Sequence, residues 1–311
     1  MINNFIENVL LEKLSVNSII ATKDGITQSH FFRSDEPADI RSISKVLSCL
    51  GVYFAIKKGV FDLNSKVLPF FSNLKITNEK NLERLNNLTI EDLLTLRIGH
   101  TKGLLFRKDV ARLPQNTNLL EYVFNYDIPC NPGEYFIYNN AATYILSAII
   151  QQETKTNLSD WVNEYIFKQL NINEFKWENS SQGICLGASG LWLKNTDLHK
   201  ISEVLLNNGY YNSIELIEQS WIKSMTTPHV LVGDLPEYVE KQDRSLNKFA
   251  YGYHIWLCGN GSVNYPKTHY FCDGADGQFL IVVPKENLAV TILSKQHDMS
   301  QIYPLINDFV K

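Results

Sequence analysis

A serine and a lysine three residues apart, Ser42 and Lys45, are the two side chains of this chain whose spacing best fits a chemical reaction. Residues 43–54 place apolar side chains at i, i+3, i+4 and i+7, which predicts a helix with one buried face. The pattern predicts that this helix ends at Gly59 and begins at Ser42, where unpaired N–H groups and the helix dipole favour negative charge. Lys45 then lies one turn on, with the two Cβ atoms roughly 5–6 Å apart. A hydroxyl beside an amine inside a folded domain can act as an activated nucleophile.

The simplest alternative is that Ser42 caps the helix, which is the commonest role of a serine at this position. The spacing alone does not decide between the two roles, because the pattern Ser-x-x-Lys recurs along the chain. It is found again at Ser72/Lys75, Ser220/Lys223 and Ser245/Lys248. What distinguishes Ser42 is the buried helix that follows it and the two segments described next.

A tyrosine and an asparagine two residues apart, Tyr138 and Asn140, lie directly before a predicted helix that begins at Ala141. At a loop-to-helix junction two such side chains can project to the same side. A phenol near a lysine ammonium can have a lowered pKa and serve as a base. The alternative is a packed tyrosine beside an asparagine cap, and residues 210–212 show that the spacing also arises elsewhere.

The third segment is a glycine-rich turn, residues 272–278, which reads Cys-Asp-Gly-Ala-Asp-Gly-Gln at the end of a predicted strand. A backbone N–H in this turn, together with that of Ser42, can form an oxyanion hole. The alternative is an ordinary hairpin turn.

Composition excludes several classes of function. The chain has 311 residues, 44% of them hydrophobic and 20% charged, as expected for a globular protein large enough for two subdomains. A formal net charge of −4 provides no basic surface for nucleic acid. No apolar run reaches the roughly 18 residues that a membrane span needs. We therefore expect neither nucleic acid nor a membrane span among the interactions of this chain.

The N-terminal residues 1–7 lack the basic start and the cleavage site of a signal peptide, so we expect a cytoplasmic protein; the alternative is a chain from which a leader has been removed. The five cysteines are an odd number, are scattered and include no Cys-x-x-Cys pair, which argues against a disulfide framework and against a zinc site. We expect Cys49 to be a small core residue, and neither a metal nor a cofactor is expected.

Secondary structure is predicted from periodicity and from turn residues. Residues 18–33 read as a β-hairpin around Asp24-Gly25. Helices are predicted from the N-terminus to about Leu14 and at 42–58, 90–97, 141–154, 196–208, 214–225 and 299–310, with Thr89 as a cap for the third. Strands are predicted at 250–257, 268–272, 278–283 and 289–294, with turns at 259–261 and 284–287.

Strands at both ends of the chain and helices in the middle predict an α+β fold. We expect one antiparallel β-sheet, flanked by the terminal helices and by the Ser42 helix, with a mostly helical subdomain inserted. The sheet subdomain comprises residues 1–60 and 190–311, and the helical subdomain residues 61–189. Together they form one catalytic domain.

Taken together and in this order, the three segments resemble the serine β-lactamase and penicillin-binding-protein superfamily. The resemblance is strongest to its class C β-lactamase-like branch, which includes DD-peptidases, esterases, D-aminopeptidases and 6-aminohexanoate-dimer hydrolases. It covers residues 18–310 and extends to connecting segments. These are Leu-Leu-Thr-Leu-Arg-Ile-Gly-His-Thr at 93–101, Ala-Ser-Gly-Leu-Trp-Leu at 188–193 with Asp197-Leu198, and Gly277-Gln278 followed by Val-Val-Pro at 282–284.

The resemblance implies a role for each site residue. Ser42 matches the acylated nucleophile and Lys45 its lysine partner. Tyr138 matches the general base, and Asn140 the polar residue that contacts the lysine and the acyl group of the substrate. The oxyanion hole would consist of the N–H groups of Ser42 and Ala275.

The third motif departs from the family pattern, which is Lys-Thr-Gly or His-x-Gly. Here Cys272-Asp273-Gly274 takes its place in the substrate-binding region. In relatives that bind a substrate carboxylate, a cation and a hydroxyl help to hold it. At about 4 Å, Asp273 would instead repel that carboxylate by roughly 1–4 kcal/mol. We therefore expect the acyl-transfer residues to be intact and β-lactam hydrolysis to be inefficient.

The sequence thus predicts a metal-free serine hydrolase that cleaves an ester or amide bond of a small or peptide-like molecule through a Ser42 acyl-enzyme. Two alternatives remain open. One is a true penicillin-binding protein or β-lactamase, and the other is a catalytically silent sensor domain of the same fold.

Overall fold

The computed structural model describes residues 1–232, 248–259 and 268–310. The strands are β1 Val16–Lys23, β2 Ile26–Phe31, β3 Ala38–Asp39, β4 Lys176–Trp177, β5 Leu191–Leu193, β6 Tyr210–Tyr211, β7 Ile214–Glu215, β8 Val230–Leu231, β9 Lys248–Tyr251, β10 Trp256–Cys258, β11 His269–Gly274, β12 Gln278–Val283 and β13 Leu288–Ser294. The helices are α1 Asn3–Leu11, α2 Ser44–Lys57, α3 Leu82–Asn87, α4 Ile90–Leu94, α5 Arg107–Val110, α6 Leu119–Asn125, α7 Ala141–Thr154, α8 Leu158–Val162, α9 Asn195–Leu206, α10 Gln219–Met225 and α11 Tyr303–Val310.

An eight-stranded antiparallel sheet with the order β2-β1-β13-β12-β11-β10-β9-β8 forms the centre of the fold. The hairpin of β1 and β2 turns at Asp24 and Gly25, which both have positive φ as a two-residue type I′ turn requires. Strand β1 then pairs with β13, so that Ile19 lies opposite Ile292. Both ends of the chain therefore build one sheet, and the predicted α+β fold is confirmed.

Helix α2 carries the predicted nucleophile and is the most enclosed helix beside the sheet. Twelve of its fourteen residues are buried, because the helix packs against α7 and α8. The turn that precedes it contacts β11 and β12. A helix that is buried on all sides lies inside a fold rather than on its surface. The core therefore holds the first turn of α2 rigidly against the sheet.

The terminal helices pack together, with the rings of Phe5 and Phe309 6.0 Å apart. Helix α9 packs against β1, β12 and β13. Most of residues 61–189 is helical or irregular, and the three-stranded sheet β3-β5-β4 joins this part to residues 38–39 and 191–193. The division at residues 60 and 190 stays a prediction. No helix in the described ranges is long and apolar enough to span a bilayer.

One predicted strand is wrong in an informative way. Residues 250–257 form parts of two strands, β9 and β10, with a tight turn between them. In this turn His254 has a φ of +56°, and a Cβ atom on Gly252 would lie 1.9 Å from the carbonyl oxygen of Met225. The close approach of the Gly252 backbone to the Met225 backbone breaks the strand here. This contact cannot be predicted from the apolar residues at 250–257.

Other predicted boundaries shift by a few residues. The helix predicted at 214–225 begins at Gln219, because residues 214–215 pair with 210–211 in a small hairpin. The helix predicted at 90–97 ends at Leu94, although Thr89 forms the predicted cap. The N-terminal helix ends at Leu11, and the last helix begins with a 3-10 turn. Residues 260–261 of the predicted turn at 259–261 lie outside the described residues.

Candidate active site

Ser42 lies in a 3-10 turn, Arg41–Ile43, that leads directly into α2. The N-cap positions of the turn and of the helix are Ile40 and Ile43, and neither has a side-chain cap. The Ser42 hydroxyl instead lies 3.2 Å from the Nζ atom of Lys45. The helix-cap role considered for Ser42 is therefore wrong, and its hydroxyl faces the lysine.

Lys45 is almost completely buried, with 1% of its surface exposed. Its Nζ atom lies 2.7 Å from Oδ1 of Asn140 and 3.3 Å from the carbonyl oxygen of Ala188. Burial lowers the pKa of Lys45 from 10.5 to about 7, although Cys272 and Asp273 oppose the shift. Near neutral pH, a large fraction of this amine is therefore uncharged.

The uncharged amine fits these three contacts as well as the ammonium does. A neutral amine has two N–H groups, which donate to the oxygens of Asn140 and Ala188, and one lone pair. In the neutral form that lone pair is left for the Ser42 hydroxyl, whereas the ammonium form donates to the Ser42 Oγ atom at 3.2 Å. The contact with Ser42 therefore accommodates both protonation states of Lys45.

Two consecutive asparagines at the start of α7 have separate tasks. Asn139 accepts a hydrogen bond from the backbone N–H of Ala142 at 2.8 Å and so caps the helix. The Nδ2 group of Asn140 donates to the carbonyl oxygen of Leu105 at 3.0 Å, which turns its Oδ1 atom towards Lys45. Because Asn139 supplies the cap, the amide of Asn140 is available to the site.

Tyr138 is fixed by a stack of aromatic rings. Its ring stacks on Trp256 with centroids 5.4 Å apart and on Phe106 with centroids 6.4 Å apart. The Nζ atom of Lys45 lies 4.8 Å from the centre of the same ring. The Tyr138 hydroxyl shares a hydrogen bond with Ser42. The phenol therefore lies within reach of both the nucleophile and the lysine.

The expectation that the pKa of Tyr138 is lowered is wrong. Burial raises this pKa well above its usual value, and the negative charge of Asp273 raises it further, whereas the hydrogen bond to Ser42 only partly offsets them. The lysine does not counter this effect, because its own charge is suppressed by burial. At neutral pH Tyr138 therefore carries its proton, and uncharged Lys45 is the one of the two that is available to accept a proton.

The glycine-rich turn is indeed a hairpin, in which Gly274 pairs with Gln278. It also lies against the nucleophile. A Cβ atom on Gly274 would lie 2.7 Å from both the Cβ atom of Arg41 and the carbonyl oxygen of Ile40. Glycine is required here for this close approach, which brings Ala275 to the wall of the cavity that contains Ser42.

Arg41 joins this turn to the nucleophile turn. Its guanidinium donates to Asp276 at 2.7 Å and 3.1 Å and to Asp39 at 3.0 Å. Partial burial disfavours the ionised form of Asp276, yet hydrogen bonds from His297 and Arg41 outweigh it and keep its pKa below the usual value. The two segments that would supply the oxyanion N–H groups are thus held together by ion pairs.

Cys272 and Asp273 follow the same strand to the site. Cys272 is buried, with its Sγ atom 3.7 Å from the carbonyl oxygen of His254. Asp273 is partly exposed and accepts a hydrogen bond from the hydroxyl of Tyr303 at 3.2 Å. Both line one crevice with Ser42, Lys45 and Tyr138, and this crevice is too narrow to hold a water molecule.

The structure therefore brings all predicted site residues together, and it adds one that the sequence did not single out. His254 lines the same crevice. Its Nδ1 atom lies 2.9 Å from the carbonyl oxygen of Leu94, and its Nε2 atom 3.0 Å from the hydroxyl of Thr143. Burial and the proximity of Lys45 lower the pKa of His254 to about 3, so at neutral pH this histidine adds no positive charge beside the lysine. In the sequence, His254 lies among apolar and aromatic residues, and nothing in that pattern predicts that it lies beside the lysine.

Larger openings continue outward from Ser42. A cavity of about 340 Å³ is bordered by Ser42, Phe106, Lys108 and Ala275. It shares Arg107, Asn140 and Ser189 with a second cavity of about 430 Å³.

Within the described ranges, no three His, Cys, Asp or Glu side chains group closely enough to hold a metal ion. A serine hydroxyl, an adjacent buried amine and two facing backbone segments are one arrangement that is able to carry out acyl transfer.

Comparison with known proteins identifies the family of this chain. Residues 22–309 match the family model described as Beta-lactamase, and the chain belongs to that family. The family consists mostly of serine hydrolases, and the fold is that of β-lactamases and transpeptidases. The resemblance predicted from the sequence is confirmed.

Solved structures with this fold include proteins with different names. One is a putative 6-aminohexanoate-dimer hydrolase from Bacillus anthracis, with 20% identity and a TM-score of 0.76 over 96% of this chain and 79% of that one. Another is an octameric penicillin-binding protein homologue from Pyrococcus abyssi, with 18% identity and a TM-score of 0.74 over 98% and 76%. A third is EstCE1, a hydrolase with promiscuous acyltransferase activity, with 14% identity and a TM-score of 0.76 over 98% and 95%.

Proposed function

We propose that this protein is a serine hydrolase that cleaves an ester or amide bond of a small molecule through an acyl-enzyme on Ser42. One observation carries the proposal. The buried amine of Lys45, with its pKa lowered to about 7, lies 3.2 Å from the Ser42 Oγ atom. A base whose pKa is close to the working pH transfers protons most effectively.

In the proposed first step, uncharged Lys45 accepts the proton of Ser42 while Oγ forms a bond to the substrate carbonyl carbon. The carbonyl oxygen becomes an oxyanion, which the N–H groups of Ser42 and Ala275 stabilise. The bond to the leaving group then breaks. The leaving group takes a proton from Tyr138, and Lys45 returns its own proton to Tyr138.

The acyl-enzyme is then hydrolysed by the same route. Water attacks the acyl carbon and loses a proton to the Lys45/Tyr138 pair. The bond between Oγ and the acyl carbon breaks, and Ser42 regains its proton. The acid leaves and the site returns to its first state.

The charge of the site favours uncharged or cationic groups on the leaving side of the scissile bond. Tyr138 and Asp273 line the same crevice beside Ser42, which is too narrow to hold a water molecule, and Asp273 would repel a carboxylate brought close to it. Cys272 supplies no compensating cation. This is why the proposal is an esterase or amidase rather than an enzyme for β-lactams.

The structural neighbours support the same reaction class. The Bacillus anthracis protein is named as a hydrolase of a 6-aminohexanoate dimer, and EstCE1 as a hydrolase with acyltransferase activity. The Pyrococcus abyssi protein is named as a penicillin-binding protein homologue. A penicillin-binding protein or β-lactamase is therefore the second function that the experiment must distinguish.

Steady-state turnover tests the proposal. We expect purified protein to hydrolyse p-nitrophenyl acetate with a kcat/KM at least about tenfold above that for a chromogenic cephalosporin, and Ser42→Ala to be inactive on both. A higher kcat/KM for the cephalosporin would favour a β-lactamase. Failure to hydrolyse any ester or amide would favour a silent sensor domain.

A further inference from the structure

The turn between β9 and β10 places the side chain of His254 inside the protein, with 1% of the residue exposed. Its backbone has a φ of +56°, a conformation that residues other than glycine seldom adopt. The backbone N–H of His254 donates to the carbonyl oxygen of Leu94 at 3.1 Å and so joins the turn to the end of α4. A buried residue in this conformation is held there by the elements packed around it.

Two further hydrogen bonds define the form of the imidazole ring. Its Nδ1 atom lies 2.9 Å from the carbonyl oxygen of Leu94, which can only accept, so Nδ1 carries a proton. Its Nε2 atom lies 3.0 Å from the hydroxyl of Thr143, which then donates to it. Both nitrogens therefore have partners in the uncharged ring, and the low pKa of His254 agrees with that form.

The partners of His254 belong to the elements that surround the lysine. Thr143 lies on α7, three residues after Asn140, whose Oδ1 atom accepts a hydrogen bond from the Nζ atom of Lys45. On β11, the Sγ atom of Cys272 donates to the carbonyl oxygen of His254 at 3.7 Å. The turn that carries His254 is thus joined to α4, α7 and β11 at once.

The crevice that His254 lines with Ser42 is too narrow to hold a water molecule. Burial raises the pKa of both tyrosines in its wall, so they carry no charge at neutral pH. An ammonium ion in the crevice therefore has no water to solvate it, which favours the uncharged amine. The titratable side chains that line the crevice with the histidine are Lys45, Tyr138, Tyr251, Cys272 and Asp273.

We propose that His254 is a positioning residue for the proton transfer: its uncharged ring fills the space beside Lys45 and keeps water away from the amine. The lysine then stays available as a base. The proposal rests on the proposed function, because the state of Lys45 is observed through the acylation of Ser42. It gives the histidine no contact with the substrate, since the ring acts through the lysine.

The pH dependence of kcat/KM for p-nitrophenyl acetate, corrected for the uncatalysed rate, tests this role. His254→Gly removes the ring and suits the positive φ. Its activity should rise through a midpoint about one pH unit above that of the wild type, because water then stabilises the ammonium. At pH 6, the fraction of plateau activity should be about tenfold below the wild-type fraction. A purely structural effect would lower the plateau and leave the midpoint in place.

A second variant and a matched control complete the series. His254→Asn keeps an N–H group for Leu94 and tolerates a positive φ, but it is too short to reach Thr143. It should raise the midpoint by at least about half a unit. His100→Gly is the control, because His100 is also buried, lies 3.3 Å from the carbonyl oxygen of Val123 and lines none of the cavities around Ser42. It should lower the melting temperature and leave the midpoint unchanged.

The protonation of the ring is measured separately by NMR on wild-type protein with nitrogen-15-labelled histidine. The signals of His254, identified by their loss in His254→Asn, should show a protonated Nδ1 and a bare Nε2. They should not titrate between pH 5 and 9. Titration in this range would overturn the inference, because the ring would then act on the lysine by its charge.

An unchanged midpoint in a folded His254→Gly or His254→Asn variant would also overturn the inference, as would an equal shift in His100→Gly. Each of these results leaves the proposed function standing, provided that the wild type hydrolyses esters and is labelled on Ser42. A wild-type protein that is neither labelled nor active, or whose pH profile is flat, refutes the proposed role of Lys45 and the inference with it.

Discussion

The Nζ atom of Lys45 lies 3.2 Å from the Oγ atom of Ser42, and the two side chains come from consecutive turns of the same buried segment. Burial lowers the pKa of the lysine to about 7, so the amine next to the hydroxyl is a base at neutral pH. Asn140 and Ala188 accept hydrogen bonds from the same amine and hold it in place beside the serine.

Activity should increase with pH through a value near 7. The folded protein favours the uncharged form of Lys45, which is the form that accepts the Ser42 proton, so activity is low below this pH and reaches a plateau above it. The measurement is kcat/KM for an uncharged ester from pH 5 to 9. A profile that is flat over this range would contradict the role of the lysine.

Tyr138→Phe should lower kcat by about 10²–10⁴-fold, which is the usual range for general acid–base catalysis. The melting temperature should change little, because the phenylalanine ring keeps the stacking with Trp256 and Phe106. A loss of less than about tenfold would assign proton transfer to Lys45 alone.

The two asparagines before α7 provide a matched pair of variants. Asn139→Ala removes a helix cap and should cost about 0.5–2 kcal/mol in the free energy of unfolding, with the pH profile unchanged. Asn140→Ala removes an acceptor of Lys45 and should displace the pH profile and lower kcat. Chemical denaturation and pH–rate curves for both variants separate the two effects. An unchanged pH profile for Asn140→Ala would show that its contact with the lysine has no catalytic consequence.

The charge of Asp273 should determine which leaving groups are accepted. For a matched pair of substrates, one with a carboxylate beside the scissile bond and one with its amide, wild-type kcat/KM should favour the amide. Asp273→Thr combined with Cys272→Lys should reverse this preference, because it removes a repulsive charge and adds an attractive one. A wild-type protein that prefers the carboxylate would show that another cation binds the anion.

Local patterns predicted the parts of the site that lie close together in sequence. The proximity of Ser42 and Lys45 follows from helical spacing, and the start of α7 at Ala141 follows from its apolar period. The meeting of these residues with Tyr138, Asn140 and the turn at Gly274 required the family resemblance, because no local rule relates segments so far apart in the chain.

Effects of burial could not be predicted from sequence. The sign of the Tyr138 pKa shift depends on how deeply the phenol is enclosed, and the sequence suggested the opposite sign. The break between β9 and β10 depends on a close contact of Gly252 with Met225, which is also tertiary. That break places His254 beside Lys45. Because the contact of Gly252 with Met225 was not predicted, His254 was not predicted as a site residue either.

Mapping of a covalent label tests the central claim most directly. Wild-type protein treated with a fluorophosphonate should gain one label by intact mass, and digestion should place it on Ser42. Ser42→Ala should gain none while its melting temperature stays close to that of the wild type, because this hydroxyl does not cap the helix. Ser72→Ala and Ser220→Ala, which belong to two of the other Ser-x-x-Lys patterns, should be labelled normally; Ser245 lies outside the described residues. A label on a different residue, or undiminished labelling of Ser42→Ala, would contradict the assignment of Ser42 as the nucleophile.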